Sequence, residues 1–136
     1  MTTPSSRRWQ PARLAGLPAP AGAYSPAVRA GDFVYVSGQV PKDPATGQLV
    51  GQSVAEQTAR VLENLRLALD AAGATLEDVV SVAVHLANVD DWSEFDAAYR
   101  RVFSDPFPTR TVVGAALRGI LVEITAVAYV GPAAAR

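Results

Sequence analysis

Val79-Val80-Ser81-Val82-Ala83-Val84-His85-Leu86-Ala87 stands between two stretches of helical period, and its own alternation is that of a strand. Successive side chains of a strand leave opposite faces, so Val80, Val82, Val84 and Leu86 share one side and Val79, Ser81, Ala83 and His85 the other. Both sides are largely apolar, and such a strand expects cover on both.

Upstream, Ser53-Val54-Ala55-Glu56 has the capping-box pattern, in which serine and glutamate each satisfy an orphan backbone donor at a helix start. Val54, Val61, Leu62, Leu65 and Leu69 then recur at helical spacing, and Gly73 supplies a left-handed stop, which predicts a helix to about Ala72. Downstream, Asp91-Trp92-Ser93-Glu94 can begin a second helix, whose stripe of Trp92, Phe95, Tyr99, Val102 and Phe103 reads as core up to the breakers Pro106 and Pro108. A strand flanked by helices suits parallel crossovers.

Further out, 24–30 and 33–39 are β-prone runs separated by Gly31-Asp32, a hairpin signal, and turn formers crowd 41–47. Two last strands are predicted at about 110–116 and 121–130, joined around Arg118-Gly119. The order strand, strand, helix, strand, helix, strand, strand gives an α+β domain, a mixed sheet with two helices packed on one face. Two helices cover one face only, while 79–87 and 121–130 are apolar on both, so self-association is expected to bury the other. Residues 1–13 lack periodicity and predict a flexible N-terminal tail, with 14–136 as the domain.

The chain has 136 residues, 12 basic against 13 acidic, and a formal net charge of -1. No basic run offers a footprint for nucleic acid or a membrane surface. The absence of cysteine and the presence of one histidine argue against thiolate chemistry and a Cys/His metal site, so no metal is expected. Prolines and glycines interrupt the N-terminal region where a secretory signal would need an apolar core, and no run is long enough to span a bilayer. A cytoplasmic protein is expected.

Phe107-Pro108-Thr109-Arg110-Thr111-Val112-Val113-Gly114 sets one arginine at the head of an apolar run. A half-buried guanidinium needs a partner, either a bound anion or a fixed acidic neighbour. If the last two strands pair through a tight 117–120 loop, Arg110, Val112, Gly114 and Glu123 share one face, with Arg110 and Glu123 ~13 Å apart. That spacing leaves room for a small ligand; a surface or salt-bridged glutamate is the plainer reading of Glu123. Asp96 reads as a solvated acid, or, if it faces a cleft, as a charge that disfavours a second ligand carboxylate. Ser37 is a small donor or a strand-end serine bonding backbone, Tyr24 a ligand-facing aromatic or an interface rim. His85 reads as a satisfied, packed histidine.

Gly22-Ala23-Tyr24-Ser25, 31–39 (GDFVYVSGQ), Asp43-Pro44-Ala45-Thr46-Gly47, Ala71-Ala72-Gly73-Ala74, Pro108-Thr109-Arg110-Thr111 and Val122-Glu123-Ile124 occur in order over roughly 20–130. Together they resemble the RidA family, also called YjgF/YER057c/UK114, of reactive intermediate deaminases. The resemblance implies a chorismate-mutase-like α+β protomer, a barrel-like homotrimer, and ligand sites in clefts between subunits. It implies cofactor-free hydrolysis of enamines and imines such as 2-aminoacrylate to 2-oxo acids and ammonia. Arg110 then matches the substrate-carboxylate clamp, Glu123 the acid that orients or activates water, and Tyr24 and Ser37 pocket residues, with Gly38 opening the loop beside them. The chain departs from the common pattern at Val112, Asp96 and Pro26, where cysteine, asparagine and glutamine are frequent. Those departures leave open a diverged member acting on another imine or enamine, and a non-catalytic binder of small carboxylates.

Overall fold

The computed structural model describes residues 6–12 and 20–132. The expected start of the folded part near Leu14 lies outside them. The capping box forms as the sequence predicts: Glu56 N–H donates to Ser53 Oγ at 3.1 Å, and Ser53 N–H donates to Glu56 Oε1 at 3.2 Å. Helix α1 (Val54–Ala71) follows, burying Val54, Val61, Leu62, Leu65, Ala68 and Leu69. Ala74 N–H closes its end on Leu69 O at 2.8 Å, and Gly73 adopts φ 82°, a left-handed turn that a Cβ would strain.

Strands β1 (Gln10–Pro11), β2 (Ala27–Ala30), β3 (Phe33–Gln39), β4 (Val79–Leu86), β5 (Thr109–Gly114) and β6 (Val122–Tyr129) form one sheet in the order β1-β2-β3-β6-β4-β5. The predicted β2–β3 hairpin is present, turning at Gly31-Asp32. Within the supposed tail, Gln10 and Pro11 pair with Arg29 and Val28. Only the β4–β5 pair is parallel, as the crossover through helix α2 (Trp92–Arg100) requires.

The expected hairpin between the last two strands does not form. Strand β6 inserts between β3 and β4 and pairs antiparallel with both, which leaves β5 at the edge. Burial accounts for the choice. Val122, Ile124, Ala126 and Ala128 give β6 an unbroken apolar face for the centre of the sheet, whereas every residue of β5 keeps some exposure. Residues 115–121 carry the chain across β4, held by Ala115 N–H on Leu86 O at 2.9 Å and Ala87 N–H on Leu121 O at 3.0 Å.

Both helices lie against the face made by Val34, Val36, Val82, Val84, Leu86 and the apolar row of β6. Val79 is buried and Val80 is 42% exposed, the reverse of the alternation read from sequence. A register shift between Val79 and Ser81, opposite β6, moves Val79 onto the covered side. Of the stripe on the second helix, Phe95, Tyr99 and Phe103 are core, while Trp92 and Val102 are exposed. The face away from the helices carries Ser81, His85, Glu123 and Thr125 beside the exposed aromatics Phe33, Tyr35 and Tyr129, so it is more polar than expected.

A candidate anion cleft and a separate carboxylate

In the parallel β4–β5 ladder Arg110 lies opposite Val82, so its side chain leaves the helix-facing side of the edge strand and reaches α2. There Arg110 Nη1 donates to Asp96 Oδ1 at 2.9 Å, the two side chains 19% and 14% exposed. Arg100, one turn on from Asp96, donates from Nε to Oδ2 at 3.0 Å. The guanidinium carbon of Arg110 sits 4.7 Å from the Tyr99 ring centroid and 5.5 Å from those of Trp92 and Phe95. Cation–π attraction thus holds the group against the aromatic side chains of α2 while leaving donors free.

Asp96, Tyr99, Arg100, Phe107, Pro108 and Arg110 line an open cleft of about 310 Å³. Asp96 is therefore not a solvated acid; it is the fixed acidic neighbour that Arg110 required. Burial opposes ionisation of Asp96, but the bonds from Arg110 and Arg100 outweigh it and hold the carboxyl below its ordinary value of 3.8. Burial pushes the Tyr99 phenol up, with Arg110 opposing, and its hydroxyl is buried without a hydrogen-bond partner.

A depressed acid stabilises the fold above its unfolded pKa and loses that contribution as pH falls through the folded value. Denaturant unfolding from about pH 6 to about pH 2 is expected to show wild type losing stability faster than Asp96→Asn below about pH 4. Parallel profiles would contradict the role assigned to the Arg110–Asp96 bond.

Glu123 occupies the other side of the sheet. It lies opposite His85, whose neighbour on β5 is Val113, and so points away from the helices. Two strand spacings and three residues separate it from Arg110, about 14 Å between Cα atoms. The expected shared face for Arg110 and Glu123 is thus overturned: β4 intervenes, and the two residues take opposite parities along it. Val112 does keep to the side of Arg110, packed in part against the core.

The Glu123 carboxylate lies over the α-carbon of Gly38, where a Cβ would fall 2.3 Å from Oε2. Beside it, Ser37 Oγ donates to Ser25 O at 2.6 Å and Ser37 N–H to Pro26 O at 2.9 Å, the backbone-bonding alternative for this serine. Tyr24 is 53% exposed and, with Gly38, lines a second cleft of about 290 Å³ that includes Pro26, Lys42 and Asn64. The structure therefore groups Arg110, Asp96 and Val112 at one edge and Tyr24, Ser37, Gly38 and Glu123 elsewhere.

Three residues near these groups were not among the site candidates read from the sequence. Arg100 was legible as the i+4 partner of Asp96. Trp92, read as core, instead contacts Arg110. His85 is not satisfied: its Nδ1 is buried without a hydrogen-bond partner beside Glu123, a result of register that spacing does not reveal.

A family model described as endoribonuclease L-PSP matches residues 15–130. The chain belongs to this family, the RidA family. A RutC family protein of Saccharolobus solfataricus is 44% identical to this RidA-family chain over 113 residues, covering 82% of it and 90% of the relative. The 2-iminobutanoate/2-iminopropanoate deaminase of Bos taurus is 42% identical over 120 residues, covering 87% of the RidA-family chain and 88% of the relative. The crystal structure of RidA from an Antarctic Psychrobacter superposes with a TM-score of 0.82 at 34% identity, covering 88% of this chain and 98% of that one. The Psychrobacter RidA structure thus shares the α+β fold of this chain.

Proposed function

We propose that this RidA-family protein is an enamine/imine deaminase that hydrolyses small 2-imino acids to 2-oxo acids and ammonia without a cofactor, as a cytoplasmic homotrimer. The observation that carries the reading is Arg110, a mostly buried guanidinium with free donors in an open cleft. The deaminase name borne by a relative of 42% identity supplies the chemistry to which a carboxylate clamp belongs.

In this reading Arg110 grips the substrate carboxylate with the donors that Asp96 leaves free. Glu123 takes a proton from water as its oxygen bonds to C2; the C=N electrons pass to nitrogen, which gains a proton. As that adduct collapses, its O–H proton passes to nitrogen through the Glu123 carboxylate, C=O forms, C–N breaks and ammonia is released. Ser37, whose proton is committed to Ser25 O, offers lone pairs to an N–H of the substrate. Tyr24 and Val112 wall the ligand, and Gly38 leaves space for the Glu123 carboxylate.

Clamp and base leave opposite faces of one protomer, so the complete site needs residues from two copies. The exposed Phe33, Tyr35 and Tyr129, away from the helices, provide apolar surface for that association. Arg110→Ala and Glu123→Gln, each nearly inactive alone, are expected to regain about a quarter of wild-type imine hydrolysis when co-expressed, because roughly one interface in four unites both native residues. Co-expressed protein no better than either variant would refute the composite site. Wild type that fails to speed imine decay beyond buffer would refute the activity.

A further inference from the structure

Asp96 does more in the cleft than neutralise Arg110. An ionised carboxylate offers about four lone-pair sites, and Arg110 and Arg100 each occupy one, which leaves acceptors open toward the same cleft. Arg110 is engaged end-on through Nη1, so its remaining edge is free for a second carboxylate lying beside that of Asp96. In a 2-imino or 2-amino acid the nitrogen is bonded to the carbon next to the carboxylate. With the carboxylate on Arg110, which holds Asp96 at 2.9 Å in the same cleft, this nitrogen lies within a few bonds of the Asp96 carboxylate.

We infer that Asp96 makes the cleft selective for a protonated nitrogen adjacent to the bound carboxylate: it takes the iminium form of an imino acid, or an α-amino acid, in preference to what a neutral residue there would favour. The inference rests on the clamp role proposed for Arg110 and specifies the substrate class of that site. Charge decides the direction. Asp96 repels the carboxylate of a 2-oxo acid and of an amino acid alike, but attracts only the cationic nitrogen. Arg100 opposes this attraction weakly, since its side chain is 65% exposed and solvent screens it. For imine hydrolysis the consequence is chemical. Protonation of C=N makes C2 the better electrophile, and an anion beside the nitrogen favours that form.

The test is calorimetric titration of the assembled protein at neutral pH with 2-aminobutanoate and 2-oxobutanoate, which differ at the α-nitrogen. Asp96→Asn, isosteric and uncharged, is expected to weaken 2-aminobutanoate about tenfold and to tighten 2-oxobutanoate several-fold, the scale of one lost charge-assisted hydrogen bond. A ratio of affinities that stays within about threefold of wild type overturns the inference, as does equal weakening of both ligands, the mark of a purely structural counter-ion. Arg110→Ala separates the two readings. Loss of both ligands with an unmoved Asp96→Asn ratio leaves the clamp standing and removes the selectivity. Unchanged binding in Arg110→Ala, or no binding of either ligand by wild type, overturns both.

Discussion

Arg110→Ala is expected to lower kcat/KM for 2-imino acid hydrolysis by about a thousandfold, the equivalent of about 4 kcal/mol, within the range for truncating one partner of a desolvated charged pair. Two losses add here. The substrate carboxylate forfeits a bidentate fork, and Asp96 is left mostly buried with only the exposed Arg100 as partner. Arg110→Lys keeps the charge but not the planar fork, so a smaller loss, carried mainly by KM, distinguishes geometry from charge. Steady-state kinetics of both variants checks this. An alanine variant within about tenfold of wild type would remove Arg110 from the binding machinery.

Phe95→Ala is expected to cost about 3–5 kcal/mol of stability, because the side chain is fully buried and its removal leaves a cavity as well as lost transfer energy. Phe95 packs where α2, the sheet and the Arg110 guanidinium meet, with Tyr99 5.6 Å away between ring centroids. At about 3–4 °C per kcal/mol for a domain of this size, the melting midpoint should fall by roughly 10–20 °C. Calorimetric melting measures it, and a shift below about 4 °C would mean that the site collapses around the gap.

Which parts of this architecture were readable depended on whether the information was local. Helix α1 was legible because its cap, its periodic face and its terminating glycine all lie within one stretch of chain. Arg110 stood out because a charge in an apolar run breaks a local pattern. Neighbours in the sheet are a different matter. The order that seats β6 between β3 and β4 is decided by competition for the buried centre, and the sequence order of β5 and β6 pointed to a hairpin instead. The error on the Arg110–Glu123 face followed from that one misplaced ladder. The reversal at Val79 and Val80 arose from a bulge, which shifts parity by one residue without changing composition. Asp96 was underestimated because helix position alone does not disclose which strand lies across from it.

Gly38 carries a last implication. Its backbone demands no positive φ; the glycine is needed because the Glu123 carboxylate fills the place of a side chain. Positions 38 and 123 are therefore sterically coupled: a side chain gained at the first must displace the carboxylate at the second, and a shorter residue at 123 releases the restriction on 38. A substitution at 38 is thus expected to perturb the fold less when 123 is shortened with it than when made alone, because the two positions face each other across neighbouring strands.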